Sequence, residues 1–174
     1  MEKKYTFNET VREAIALSLI QLMKTKPFLQ ISISEIAKVA GVSRSSIYRN
    51  FDSKEQILIG YIHNLYNDYF LTEDVLHYFP EQKDMQKFLL PRFQFIKQNK
   101  DFFTVLHKNN LLYYIFEQME PELILLLNGQ DSTQSPYYLS MFAGSYAAII
   151  SRWIDNDFRE SEDEMVKIFS SYPL

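Results

Sequence analysis

Apolar residues recur at three- and four-residue spacing along most of the chain, as in Val11, Ile15, Leu19 and Leu22 near the start and Phe142, Ile149 and Trp153 near the end. That spacing places them on one stripe of an α-helix. No segment sustains the alternation of apolar and polar positions that a half-buried strand requires, so the pattern predicts an all-α protein. About nine helices are predicted, over residues 8–24, 33–40, 44–50, 54–71, 84–99, 102–108, 111–127, 136–157 and 162–170.

Start signals support these spans. Thr6 with Glu9, Ser32 with Glu35, Ser53 with Gln56 and Ser161 with Glu164 fit the capping box, in which a hydroxyl and an acid or amide satisfy each other's backbone N–H groups. Ser135 before Pro136 suits a cap followed by the first helical position. Pro91 is expected to kink the fifth helix and Pro121 to split the seventh. Loops are expected at 25–32, 72–83 and 128–135, where Pro, Gly, Ser, Thr and acids gather. A boundary falls near residue 52, giving domains 1–52 and 53–174, with the fourth helix shared between them.

Composition narrows the class. The chain has 174 residues, 47% of them hydrophobic, enough for a packed core. It has no cysteine, which removes disulfides, zinc-thiolate sites and thiol nucleophiles together. The start, MEKKYTFNET, lacks the apolar segment of a secretory signal, and the apolar windows LILLL (123–127) and MFAGSYAAII (141–150) are too short to span a bilayer. A soluble cytoplasmic protein is expected. The net charge of −4 hides a division: residues 1–55 hold nine Lys/Arg against six Asp/Glu, a local +3, which leaves −7 on the remainder. A polyanion would meet the basic front.

The stretch AGVSRSSIYRNF (40–51) gives that front a chemistry. Ser32 and Glu35 start a short helix with an apolar edge of Ile36, Ala37 and Ala40, and Gly41 can end it in a left-handed conformation. Ser43 caps the next helix after a three-residue turn, the spacing of a helix-turn-helix. On the second helix Ile47 and Phe51 share the inward side, whereas Ser45 and Arg49 point away, flanked by Arg44, Ser46 and Tyr48. Arginine can bridge guanine O6 and N7, hydroxyls bond phosphates or base edges, and the N-terminal N–H groups favour a phosphate. The second helix is therefore shaped to enter a DNA major groove.

The run ISISEIAKVAGVSRSSIYRNFDSKEQIL (31–58) resembles the signature of TetR/AcrR-type bacterial transcriptional regulators. The match falls on Ile36, Ala37, Ala40, Gly41, Val42, Ser43, Tyr48, Phe51, Lys54 and Glu55, with Ser32 where the family often has threonine. The resemblance implies an N-terminal three-helix DNA-binding domain followed by a helical dimerisation and ligand domain. It also implies phosphate contacts from Tyr48 and Lys54 and base contacts from Arg44, Ser45 and Arg49. The full DNA-binding set expected is Ser32, Ser34, Ser43, Arg44, Ser45, Ser46, Tyr48, Arg49 and Lys54.

In TetR-like proteins the back of the chain dimerises and often binds an inducer. Here Gly144, Ala147, Ala148 and Ser151 would let another helix come close, and Tyr138, Phe142, Ile149, Trp153, Met165 and Phe169 would supply the apolar area of a homodimer interface. Two-fold symmetry implies a palindromic operator. The aromatic cluster Phe93, Phe102, Phe103, Tyr113, Tyr114 and Phe116, with His107, reads either as the lining of a pocket for a small hydrophobic effector or as plain core. His63, His77 and His107 are scattered, and no zinc-protease motif, phosphate loop or nucleophile elbow is present, so neither catalysis, metal nor cofactor is expected. His107 with Glu117 could form a chance metal site, but a solvated or core histidine is the expected reading. The reading is a homodimeric regulator, a repressor because an occluding dimer needs no polymerase contact, released by a small effector. The alternative is a helical ligand- or protein-binding module whose helix-turn-helix no longer binds DNA.

Overall fold

The computed structural model describes residues 7–70, 85–116 and 135–171. Eight α-helices with defined bounds run through them: α1 (Phe7–Met23), α2 (Ile33–Ala40), α3 (Arg44–Asn50), α4 (Lys54–Phe70), α5 (Met85–Gln98), α6 (Lys100–Lys108), α7 (Ser135–Asp155) and α8 (Glu162–Ser170). Residues 113–116 are also helical, and the described residues contain no strand. The rest of the helix expected over 111–127, with Pro121 and Glu117, lies outside the described residues, as do Thr6, His77, the side chain of Tyr138 and the loops 72–83 and 128–134.

Where caps are strong, the helix bounds follow from them. Both halves of the capping box form at Ser32/Glu35 and at Ser161/Glu164. The Ser53 hydroxyl accepts from the Gln56 N–H at 3.2 Å to open α4. α5 runs on through Pro91, and α6 starts at Lys100 rather than 102, because Asn99 alone interrupts the two helices. The stretch 25–32, expected to be loop, holds a single 3₁₀ turn at Phe28–Gln30.

The chain divides into two compact units within α4, between Leu65 and Tyr66, inside the helix expected to be shared between the domains. In the first, α1 packs on α2 and α2 on α3 around Ile15, Leu19, Ile36, Ile47, Ile57 and Leu58, all fully buried. In the second, α5 packs on α8 and α6, and α6 on α7. Its interior is an aromatic mesh: Phe93 meets Tyr146 at 5.5 Å and Trp153 edge-on at 5.6 Å, and Phe142 meets Phe169 at 5.1 Å between ring centres. Offset and edge-to-face pairs of this kind add stability beyond the area they bury.

Candidate DNA interface

α2 ends in a Schellman motif. Gly41 takes φ +67°, its N–H donates to the Lys38 carbonyl, and the Val42 N–H donates to the Ala37 carbonyl at 3.0 Å. The chain then reverses into Ser43, whose hydroxyl accepts from the Ser46 N–H at 3.1 Å and lies 2.9 Å from the Ser45 hydroxyl. Two successive caps with no spare residue set the crossing of α2 and α3.

On α3 the faces separate cleanly. Ile47 is fully buried, and Phe51 just beyond the helix is buried too. Arg44, Ser45, Tyr48 and Arg49 are exposed, while Ser46 is half-buried. On α2, Ser34 is exposed and Ser32 has its hydroxyl within the capping box. One outer surface therefore carries two guanidinium groups, a phenol and hydroxyls.

Lys54, expected to contact a phosphate, is held within its own unit in this structure. Its Nζ donates to the carbonyls of Phe28 at 2.6 Å and Ile31 at 2.9 Å, and stands 4.4 Å from the centre of the Phe28 ring. Burial lowers its pKa, against smaller opposing effects of Glu55 and Glu35. Lys54 thus clamps the start of α4 to the 3₁₀ turn. Arg12 on α1 was missed among the candidate residues: its guanidinium donates to the carbonyl of Asn50, the last residue of α3, and lies 4.2 Å from the centre of the Phe51 ring. The available signal was its position three and four residues before the buried Ile15 and Ala16, a charge on the inner stripe.

Glu35 ties the start of α2 to Lys26. Its carboxylate accepts from Lys26 Nζ at 2.7 Å and from the Ser32 N–H at 2.9 Å, and these bonds bring its pKa down from 4.5 to about 2. A carboxyl held below its unfolded value contributes stability that is complete above pH 4.5 and is lost as pH falls toward 2. Glu35→Gln is accordingly expected to flatten the acid limb of urea-unfolding stability in that window; a limb as steep as wild type would place the acid sensitivity elsewhere.

In the second unit, the residues expected at a dimer interface are largely interior. Phe142, Trp153, Met165 and Phe169 are buried within their own chain, and Ile149 is half-buried. The exposed line on α7 is instead Tyr137 (80% exposed), Met141 (46%), Gly144 and Ala148, with Ile168 (40%) on α8. Of the expected effector cluster, Phe93 and Phe116 both pack on Tyr146, and Phe102 meets Phe103 at 6.0 Å. Phe93, Phe102 and Phe103 are core, Tyr113 is exposed and stacks near Tyr114 at 4.1 Å, Phe116 meets Tyr146 at 5.7 Å, and His107 Nε2 lies 3.0 Å from Asp155 Oδ1. Among the described residues, no three His, Asp or Glu side chains gather to hold a metal, and no helix is long and apolar enough to cross a membrane.

Residues 19–60 match the family model "Bacterial regulatory proteins, tetR family", and residues 83–172, more than half of the chain, match "Transcriptional regulator C-terminal region". The chain belongs to the TetR family. TetR regulators are DNA-binding transcription regulators, and the helix-turn-helix described above is the DNA-binding unit of that family. The transcriptional regulator EthR of Mycolicibacterium smegmatis is 46% identical over 52 residues, covering 29% of this chain and 24% of EthR. YerO of Bacillus subtilis is 30% identical over 105 residues, 58% of this chain and 36% of YerO. The chain thus matches well under two thirds of the length of these relatives. A TetR regulator of Streptococcus agalactiae shares the fold with a TM-score of 0.68 at 17% identity, over 94% of this chain and 93% of its own. FadR of Bacillus halodurans does so at 0.63 and 19% identity, over 97% and 95%.

Proposed function

We propose that this TetR-family chain is a homodimeric repressor that reads a palindromic operator through α3 and is released by a small effector bound in the second unit. The observation that carries the reading is the face of α3, where Arg44, Ser45, Tyr48 and Arg49 stand exposed over a fully buried Ile47. Arginine and hydroxyls so presented suit base edges and phosphates. Selection of random duplexes on the purified protein at two salt concentrations tests it. An enriched inverted repeat whose binding weakens as salt rises is expected; absence of enrichment from both buffer and cell extract would overturn it.

The line Tyr137, Met141, Gly144 and Ala148 supports dimerisation, since large apolar groups flank small residues on one helix face. Among the described residues nothing lies within 4 Å of a Cβ built on Gly144, so a side chain there is expected to leave the protomer intact but to fill the line of approach of a second helix. Gly144→Trp is expected to yield a folded monomer in sedimentation with operator affinity lowered at least about tenfold, because two linked half-sites reinforce each other. A dimeric Gly144→Trp would move the interface off this face.

The effector reading is supported by Tyr146. It is fully buried among Phe93, Phe116, Phe142 and Phe169, its hydroxyl has no hydrogen-bond partner among the described residues, and burial pushes its pKa up. An unpartnered buried hydroxyl costs about 1–3 kcal/mol, which a polar atom on an apolar effector would recover. Tyr146→Phe is expected to raise the stability of the unliganded protein by about 1 kcal/mol in chemical denaturation. A destabilised Tyr146→Phe would show that the hydroxyl is already satisfied.

A further inference from the structure

α3 is a short element to aim. Of its seven residues only Ile47 is buried, so the direction of the helix depends on what holds its two ends. Ser43 holds the first by capping it. The second is held from α1 by Arg12, which donates to the Asn50 carbonyl and covers the Phe51 ring. Gly60 on α4 lies beside both groups: a Cβ there would stand 3.7 Å from Phe51 Cε1 and 3.9 Å from Arg12 Nη2. Arg12 is thus the point at which α1, the end of α3 and α4 meet. A cation here also complements the partial negative charge of a helix C-terminus.

We propose that Arg12 is a positioning residue for DNA reading, setting the angle at which α3 presents Arg44, Ser45 and Arg49 without itself touching DNA. The proposal rests on the reading that α3 enters the major groove. Without Arg12 the end of α3 is held only by the packing of Ile47 and Phe51 and can shift about them. Hydrogen bonds to base edges form only within a few tenths of an ångström of ideal length, so the shift breaks them. Attraction to the phosphates, a longer-range effect, survives. Discrimination between sequences therefore falls further than general affinity for DNA.

The test uses the full chain as wild type, Arg12→Met, Arg12→Lys and Arg49→Ala, below the lowest melting temperature. Binding is measured to a duplex carrying the inverted repeat selected by the wild type and to a scrambled duplex of equal length, each at several salt concentrations. Arg12→Met is expected to bind the repeat roughly tenfold more weakly, the loss of about one charge-assisted hydrogen bond, and the scrambled duplex within about twofold. Its salt slope should match wild type, and Arg12→Lys, which keeps a cationic donor, should recover most of the discrimination. Arg12→Gln supplies the same comparison if the methionine variant does not fold. Wild-type discrimination in a folded Met or Gln variant overturns the proposal. So does an equal loss on both duplexes with a shallower salt slope, since Arg12 would then be a phosphate contact. A wild type that selects no duplex overturns the DNA reading itself, and the proposal with it. A wild type that selects one, together with an Arg49→Ala variant that cannot bind it, isolates any failure to Arg12.

Discussion

Arg44→Ala with Arg49→Ala is expected to weaken operator binding at least about a hundredfold while leaving the melting temperature within a degree or two of wild type. Both side chains are exposed on α3, and among the described residues neither makes a hydrogen bond or ion pair. Their removal therefore leaves no buried group unsatisfied, and alanine is the residue a helix tolerates best. On DNA each guanidinium can contribute roughly 1–3 kcal/mol of base discrimination, or one unit of salt slope where it meets a phosphate. The two contributions are distinguished by competition with scrambled duplex: lost discrimination marks base contacts, and a shallower dependence on log salt marks phosphate contacts. Lys54→Ala provides the contrast. Because Lys54 bonds the Phe28 and Ile31 carbonyls, its loss should lower stability first. A double arginine variant that binds the operator as wild type does would remove α3 as the reading element.

The helix-turn-helix was legible because its signals are local. Ser32, Glu35, Gly41 and Ser43 each act on backbone groups within four residues, and the helices they bound span 33–40 and 44–50 as read from the sequence. α6 was harder, since the Asn99 side chain turns back to the Phe95 carbonyl instead of capping the helix that follows. Residues whose roles depend on distant partners were not legible. The sequence does not show which groups Lys54 and Arg12 meet, because their partners lie 23 to 38 residues away. The apolar stripes of α7 and α8 announce burial but cannot say against what. Periodicity is the same whether the covering surface belongs to this chain or to a second copy, so Phe142 and Phe169 read as interface although they meet each other.

Trp153 turns that ambiguity into an experiment, because the two placements predict opposite dependence on protein concentration. It is fully buried, packs edge-on against Phe93 and against Phe158 at 5.1 Å, and donates its Nε1–H to the Glu160 carbonyl at 3.1 Å. Trp153→Ala removes the whole ring from a closed site and is expected to destabilise the chain by about 3–5 kcal/mol. Trp153→Phe keeps most of the packing, and the Glu160 carbonyl retains its bond from Lys97 Nζ at 3.1 Å, so a loss of only about 1–2 kcal/mol is expected. Trp153 is the single tryptophan, so unfolding of its variants is followed by far-ultraviolet circular dichroism rather than fluorescence. A core residue lowers stability by an amount that does not change with protein concentration. An interface residue instead weakens association, and raising the concentration restores the melting temperature. Recovery of Trp153→Ala on concentration, beyond any shown by the wild type, would return this side chain to a subunit interface; a fixed loss keeps it in the interior of its own chain.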